Sequence, residues 1–323
     1  MARVARMTRT GSPDVIEWVD VEVPEPGPGE VRMRNTAVGL NFIDTYHRRG
    51  IYPVALPSGL GLEAAGVVDG VGDGVDLTPG TRVATFGPTL GAYATEWIVP
   101  AADLFVVPDA ISDEVAAAGL LKGCTTEFLV ERCAKVQPGW WCLVHAAAGG
   151  VELLLVQWLR HVGAHVIGTV STEEKADAAR AAGAEHVINY SHEEVAPRVR
   201  ALTDGAGVRV TFDGIGRATW DASLDATGRR GLIVNYGNAD APVEGVNLGV
   251  LARKGSLYNT RPTLFDYYAT PEERAAGSDY VFDMFAKGVI ALTVGQTYPL
   301  EQAGQAHADL EARRTTGSTI LTI

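Results

Sequence analysis

The chain is short of cysteine, aromatic residues and positive charge, and each shortage removes a class of protein. Three cysteines occur among 323 residues, Cys124, Cys133 and Cys142, spaced nine apart. No pair has the close spacing of a metal-binding motif, and an odd, sparse set does not make a disulfide framework. A reducing compartment, the cytoplasm, is therefore expected. Lysine and arginine number 27 against 39 acidic residues, a formal net charge of −12. Such a surface repels phosphate backbones and anionic membranes, so neither nucleic acid nor membrane is an expected partner, and any anion site must be built locally. No uninterrupted apolar run reaches the roughly 18 residues of a membrane span. The three arginines of Met1–Arg9 are followed by no apolar stretch, so no signal peptide is expected.

What is present reads as an α/β protein. The composition is 46% apolar and 20% charged, and the length suits two domains rather than one core. To about Pro108 the chain reads as short strands, such as Glu30–Val38 and Ala64–Val71, punctuated by turns such as Pro26-Gly-Pro-Gly29 and Gly72-Asp-Gly74. After Ser112, a plausible N-cap for a helix from Asp113 to Gly119, strands and helices alternate. Strands are expected at Trp141–Ala147, His165–Val170, His186–Tyr190, Val208–Asp213 and Gly231–Tyr236, with helices at Val151–His161 and Glu173–Ala182. That rhythm predicts a parallel, doubly wound sheet. The tail returns to the first type, with strands at Ala291–Val294 and Ser318–Ile323 around a helix from Leu300 to Arg314. The pattern predicts a nucleotide domain, 113–260, inserted into a catalytic domain made of 1–112 and 261–323, with a cleft between them.

The strongest local signal is Val144-His-Ala-Ala-Ala-Gly-Gly-Val-Glu-Leu-Leu-Leu155, in which a strand runs through small residues into a helix. Small residues let the backbone approach a pyrophosphate, and the helix N-terminus offers N–H donors. Ala148, Gly149, Gly150, Val151 and Glu152 are the candidate contacts, although a tight turn without a ligand has the same pattern. The second strand ends Gly168-Thr-Val-Ser171 rather than in the acid that binds the ribose of NAD. Ser171, Lys175 and Tyr190 suit the extra phosphate of NADP, while Lys175 also reads as an ordinary solvated helix charge. In the first half, Asn41, Asp44, Tyr46 and Tyr52 lie in a segment that concentrates polar groups among apolar ones and are expected to reach into a cleft. A tyrosine there can donate to a carbonyl or enolate oxygen, or can simply be a half-buried aromatic.

Longer motifs make a family resemblance specific. Asn41-Phe-Ile-Asp-Thr-Tyr46, Gly50-Ile-Tyr-Pro53, Pro57-Ser-Gly-Leu-Gly-Leu-Glu-Ala-Ala-Gly66, Val144-His-Ala-Ala-Ala-Gly-Gly-Val151, Lys254-Gly-Ser-Leu-Tyr258 and Thr260-Arg-Pro-Thr-Leu264 resemble zinc-independent quinone oxidoreductase. This is the zeta-crystallin-like group of the medium-chain dehydrogenase/reductase superfamily, and the resemblance runs through the chain in order. It implies a GroES-like β-rich catalytic domain, a Rossmann domain, NADPH, a small quinone or α,β-unsaturated carbonyl as substrate, and often a homodimer. By match of motif it implies cofactor or substrate contact at Asn41, Tyr46, Tyr52, Lys122, Thr126, Lys175, Tyr190, Asn238 and Arg261. Zinc-dependent relatives carry Gly-His-Glu where this chain has Gly61-Leu-Glu63, so no metal is expected.

Two departures open other readings. The last glycine of the family's fingerprint is Glu152 here, which places a carboxylate in the first helical turn where the pyrophosphate wants the same dipole. At about 5 Å and an effective dielectric of 20 the repulsion is of order 3 kcal/mol, less if Glu152 turns to solvent. Glu127, beside Thr126, and Phe128, where the family commonly has a tyrosine, are read as altering the substrate, as placing a general base in the cleft, or, for Glu127, as a harmless surface change. A fold that binds NADPH poorly points to a cofactor-independent enzyme, such as an enone-addition or cyclisation catalyst, or to a non-catalytic binding protein.

Overall fold

The computed structural model describes residues 1–323, and the chain divides into two compact units. The first comprises Met1–Lys122, Thr270–Ala286 and Leu292–Ile323, and the second Gly123–Ala269 with Lys287–Ala291. The changes of unit fall after 122, 269, 286 and 291, where the sequence pattern places them after 112 and 260. The helix that begins at Asp113 runs on to Glu127, so the change in sequence pattern at Ser112 marks where a helix starts rather than where a unit ends.

The first unit is built on a seven-stranded sheet. Its long central strand, Glu30–Leu40, buries Val31, Met33 and Asn35 while the intervening residues reach solvent, the alternation of a half-buried strand. It pairs antiparallel with Glu63–Val71, Glu96–Pro100 and the C-terminal strand Ser318–Thr322. The tail therefore returns to the first unit's sheet, as the sequence pattern predicts. Val31, Met33, Val38, Leu60, Val68, Tyr93, Val99 and Leu321 form its core. Two expectations shift in the tail. The strand begins at Val294 and runs to Pro299, because its pairing is with Ser318–Thr322. The helix is a 3-10 turn at Leu300–Gln302 followed by Ala303–Glu311.

The second unit carries six parallel strands: Trp141–Val144, His165–Val170, His186–Asn189, Val208–Asp213, Thr227–Asn235 and Tyr258–Thr260. Numbered in chain order, they lie 3-2-1-4-5-6 across the sheet. This is the doubly wound order, and it reverses direction between the first strand and the fourth. Val166 to Val170 are all buried, as a strand covered on both faces requires. The helix Gly150–Val162 buries Leu153, Leu154, Leu155, Val156, Trp158 and Leu159, and ends at Gly163 in the left-handed conformation. The next, Glu173–Ala182, starts where the Thr172 hydroxyl accepts the Lys175 N–H at 3.3 Å.

Candidate active site

The first strand of the parallel sheet ends at Val144, and the chain crosses to the next helix in five residues, His145–Gly149. Ala146 takes a left-handed conformation, φ 53°, to make that turn. His145 is fully buried, with Nδ1 3.2 Å from Thr169 Oγ1 and Nε2 3.1 Å from Ser223 Oγ. Burial lowers its pKa, so it stands there as a neutral brace. Asp213, at the end of the fourth strand, accepts the N–H groups of Ile215 and Gly216 at 2.9 and 3.0 Å and the hydroxyls of Thr219 and Ser223. This carboxylate shapes the loop that begins at Gly214, and sequence reasoning passed over it because a strand-ending aspartate has no distinctive neighbours.

Glu152 is the third residue of the helix Gly150–Val162, and its side chain folds back over the turn. Oε1 accepts the Tyr236 hydroxyl at 2.5 Å. A Cβ on Gly149 would overlap Oε2, and one on Gly214 would lie 3.0 Å from Oε1 and from the Tyr236 hydroxyl. The carboxylate thus rests against backbone at the ends of the first and fourth strands, half-buried, rather than extending into solvent. Tyr236 follows the fifth strand, and its own carbonyl accepts Arg261 Nη1 at 2.7 Å. With the Asn238 amide oriented to satisfy both of its atoms, Asn238 donates to Gly237 O at 2.9 Å and accepts from Arg261 Nη2 at 3.2 Å. Arg261 and Asn238 are therefore brought together, and they fix the loop that presents Tyr236.

The other expected cofactor residues of this unit lie at the end of the second and third strands. Ser171 and Lys175 are half-buried, and the Ser171 carbonyl accepts the Ser191 hydroxyl at 2.9 Å. Tyr190 is exposed and lines a groove of about 920 Å³ with Glu193, Glu194, Arg200, Asp221 and Asp225. The acidic rim of that groove does not suit a phosphate. Ala148 and Thr126 are buried, while Gly149, Gly150 and Val151 are half-buried.

In the first unit, Asn41 caps the helix Phe42–Arg49: its N–H donates to Asp44 Oδ2 at 2.9 Å. Its side-chain amide donates to Glu63 Oε2 at 2.8 Å, and Glu63 Oε1 accepts the Leu121 N–H at 2.7 Å. Lys122 is buried, its Nζ 3.4 Å from Glu63 Oε2 and 3.3 Å from Leu40 O. Glu63 is thus the hub that positions both Asn41 and Lys122, a role the motif Gly61-Leu-Glu63 did not announce. Burial raises the Glu63 pKa against the opposing pull of Lys122. Tyr46 is buried and Tyr52 half-buried, their rings edge to face at 5.3 Å.

Glu127 is not a surface residue. It is buried, accepts Arg132 Nη2 at 2.6 Å and the Tyr268 hydroxyl at 2.8 Å, and closes the helix just before a wider turn, Phe128–Cys133. Arg132 also stacks over the Tyr268 ring at 4.5 Å. These partners hold the carboxylate in an ion pair and a hydrogen bond within the second unit.

Comparison with known proteins agrees over the full length. Residues 27–109 match the model of the alcohol dehydrogenase GroES-like domain, and 150–263 that of the zinc-binding dehydrogenase. The chain is 49% identical over 323 residues to a quinone oxidoreductase of Pseudomonas aeruginosa, covering 99% of each. The chain belongs to the quinone oxidoreductase family. Within the medium-chain dehydrogenase/reductase superfamily this makes it an oxidoreductase acting on a small molecule. It is also 46% identical over 332 residues to a 2-haloacrylate reductase from a Burkholderia species, covering 99% of each. The crystal structure of Escherichia coli quinone oxidoreductase complexed with NADPH matches with a TM-score of 0.97 at 45% identity, covering 100% of both chains. No group of three or more His, Cys, Asp or Glu side chains stands close enough to hold a metal ion, and no helix is long and apolar enough to cross a membrane.

Proposed function

We propose that the chain is an NADPH-dependent reductase that delivers hydride to a quinone or an α,β-unsaturated carbonyl. The observation that carries this reading is the glycine-lined turn at Gly149 and Gly214, set where the strand order reverses, the position at which open parallel sheets bind dinucleotides. The residues present fit that group. The N–H groups at the start of the helix Gly150–Val162 would hold the pyrophosphate, once the Glu152 side chain moves aside. The second strand ends in Val170-Ser171 with no carboxylate, so Ser171 and Lys175 would take the ribose phosphate, while Tyr190 faces an acidic groove that disfavours it. Asn238 and Arg261 fix the neighbouring loop, and Lys122, Thr126 and Asn41 complete the set that the family resemblance implies.

The reduced nicotinamide supplies the hydride when bound. Tyr46 and Tyr52 donate hydrogen bonds to the acceptor's carbonyl oxygen as negative charge develops on it, and Asn41, fixed by Glu63, orients the acceptor. Both acceptor classes are retained because the chain is nearly as similar to a 2-haloacrylate reductase as to quinone oxidoreductases. A homodimer belongs to the same proposal: Tyr258–Thr260 is an edge strand, and Tyr258 on it is exposed. So does a cytoplasmic setting, in which the three free cysteines stay reduced.

The test is oxidation of NADPH, and separately of NADH, in the presence of a 1,4-benzoquinone or a simple enone. Turnover with NADPH favoured over NADH, with the preference reduced roughly tenfold or more in Lys175→Ala, is expected, the scale of one lost charge-assisted contact. No oxidation of either cofactor with any acceptor contradicts the proposal.

A further inference from the structure

Glu152 stands where the family's fingerprint has its last glycine, and the structure gives that carboxylate a defined place. It lies against Gly149, at the N-terminus of the helix Gly150–Val162, and against Gly214 at the end of the fourth strand. An acid at the third helical position that folds back on the helix start draws on the same positive end of the dipole that a pyrophosphate uses. Tyr236 holds it there through a 2.5 Å hydrogen bond, and Tyr236 is in turn placed by Arg261, which donates to its carbonyl. The two residues of this contact are 84 apart in sequence and meet because the first and fifth strands flank the fourth.

We infer that Glu152, latched by Tyr236 over the fingerprint turn, is a built-in anion that the cofactor's pyrophosphate must displace, so that this contact sets the chain's affinity for its dinucleotide. The inference rests on the NADPH reading above. Displacement requires the Tyr236 bond to break and the carboxylate to leave the helix start. Two anions left about 5 Å apart at an effective dielectric of 20 would weaken binding on the order of a hundredfold. Three substitutions separate the contributions. Glu152→Gly removes charge and bulk, Glu152→Gln keeps the bulk and removes the charge, and Tyr236→Phe keeps the carboxylate but unlatches it.

The experiment is titration of the full chain and each variant with NADPH, read by calorimetry and by the cofactor's own fluorescence, with thermal unfolding to verify that each variant is folded. Glu152→Gly and Glu152→Gln are both expected to bind NADPH tighter by roughly ten- to a hundredfold, and Tyr236→Phe by a smaller factor. Equal affinity in all four proteins overturns the inference and leaves the reductase reading standing. Tightening in Glu152→Gly without any in Glu152→Gln overturns it too, because bulk and not charge would then be the obstacle. Failure of every variant to bind NADPH or NADH sinks the reductase reading itself, and the inference with it.

Discussion

Replacing Glu63 tests whether the first unit's polar hub is organised as described. The carboxylate is fully buried and serves three donors: the Leu121 N–H at 2.7 Å, the Asn41 amide at 2.8 Å and Lys122 Nζ at 3.4 Å. At 3.4 Å and an effective dielectric of 20, attraction between the two charges is about 5 kcal/mol. Desolvation of both offsets much of this, so the pair contributes little net stability while removal of one partner is costly. Glu63→Gln keeps the shape and one acceptor oxygen but leaves the Lys122 ammonium buried without its carboxylate. A loss of about 3 kcal/mol is expected. Adding Lys122→Met should recover a large part of it, because the uncompensated charge leaves with the lysine. Two units need not unfold together, so the local readout is hydrogen exchange in the strand Glu30–Leu40, the centre of this unit's sheet. A Glu63→Gln effect below about 0.5 kcal/mol, or a double variant that loses the sum of the two single losses, refutes the reasoning.

Asp44 gives a pH prediction. Burial raises its pKa from 3.8 to about 7, against the Asn41 N–H and the Tyr93 hydroxyl that favour its charged form. The folded state therefore binds more protons than the unfolded one between those values. The stability contributed by Asp44 is complete below about pH 4 and is lost as pH rises toward 7, by at most ~1.4 kcal/mol per unit. Burial lowers His307 to about 3, which works in the opposite direction, so the comparison must be with Asp44→Asn, where the His307 contribution cancels. Measured at pH 5 and pH 7, the gap between the two proteins should move in favour of Asp44→Asn, and an unchanged gap would contradict the assignment. In the second unit, Arg132→Met takes away the guanidinium that Glu127 pairs with at 2.6 Å, and should cost about 3 kcal/mol in denaturant unfolding. Combined with Glu127→Gln the cost should shrink, and a double variant that loses the sum of the two single losses would show that the pair is not coupled.

Much of the architecture was legible because it rests on local pattern. The strands His165–Val170 and Val208–Asp213 and the helix Glu173–Ala182 fall where apolar runs and punctuation place them. The strand expected from Gly231 starts at Thr227, since its first residues pair across a register shift with Val208. Such a pairing leaves no trace in a single segment. The change of pattern at Ser112 has a related cause: the helix that opens at Asp113 belongs in part to each unit, and a sequence pattern changes at a helix's start. Glu127 shows the limit for side chains. Its partners Arg132 and Tyr268 lie 5 and 141 residues away, and only the fold brings the second into reach. Glu152 stood out as a departure from a motif, while its latch, Tyr236, read only as the end of a strand.

The central claim, hydride transfer from NADPH to a conjugated acceptor, is tested most directly with NADPH carrying deuterium at the transferring position and an enone as acceptor. The account predicts NADPH consumption matched one to one by reduced product, with deuterium on the product's β-carbon and slower turnover than with unlabelled cofactor. Enone conversion that proceeds without cofactor consumption, or a product free of deuterium, would contradict it.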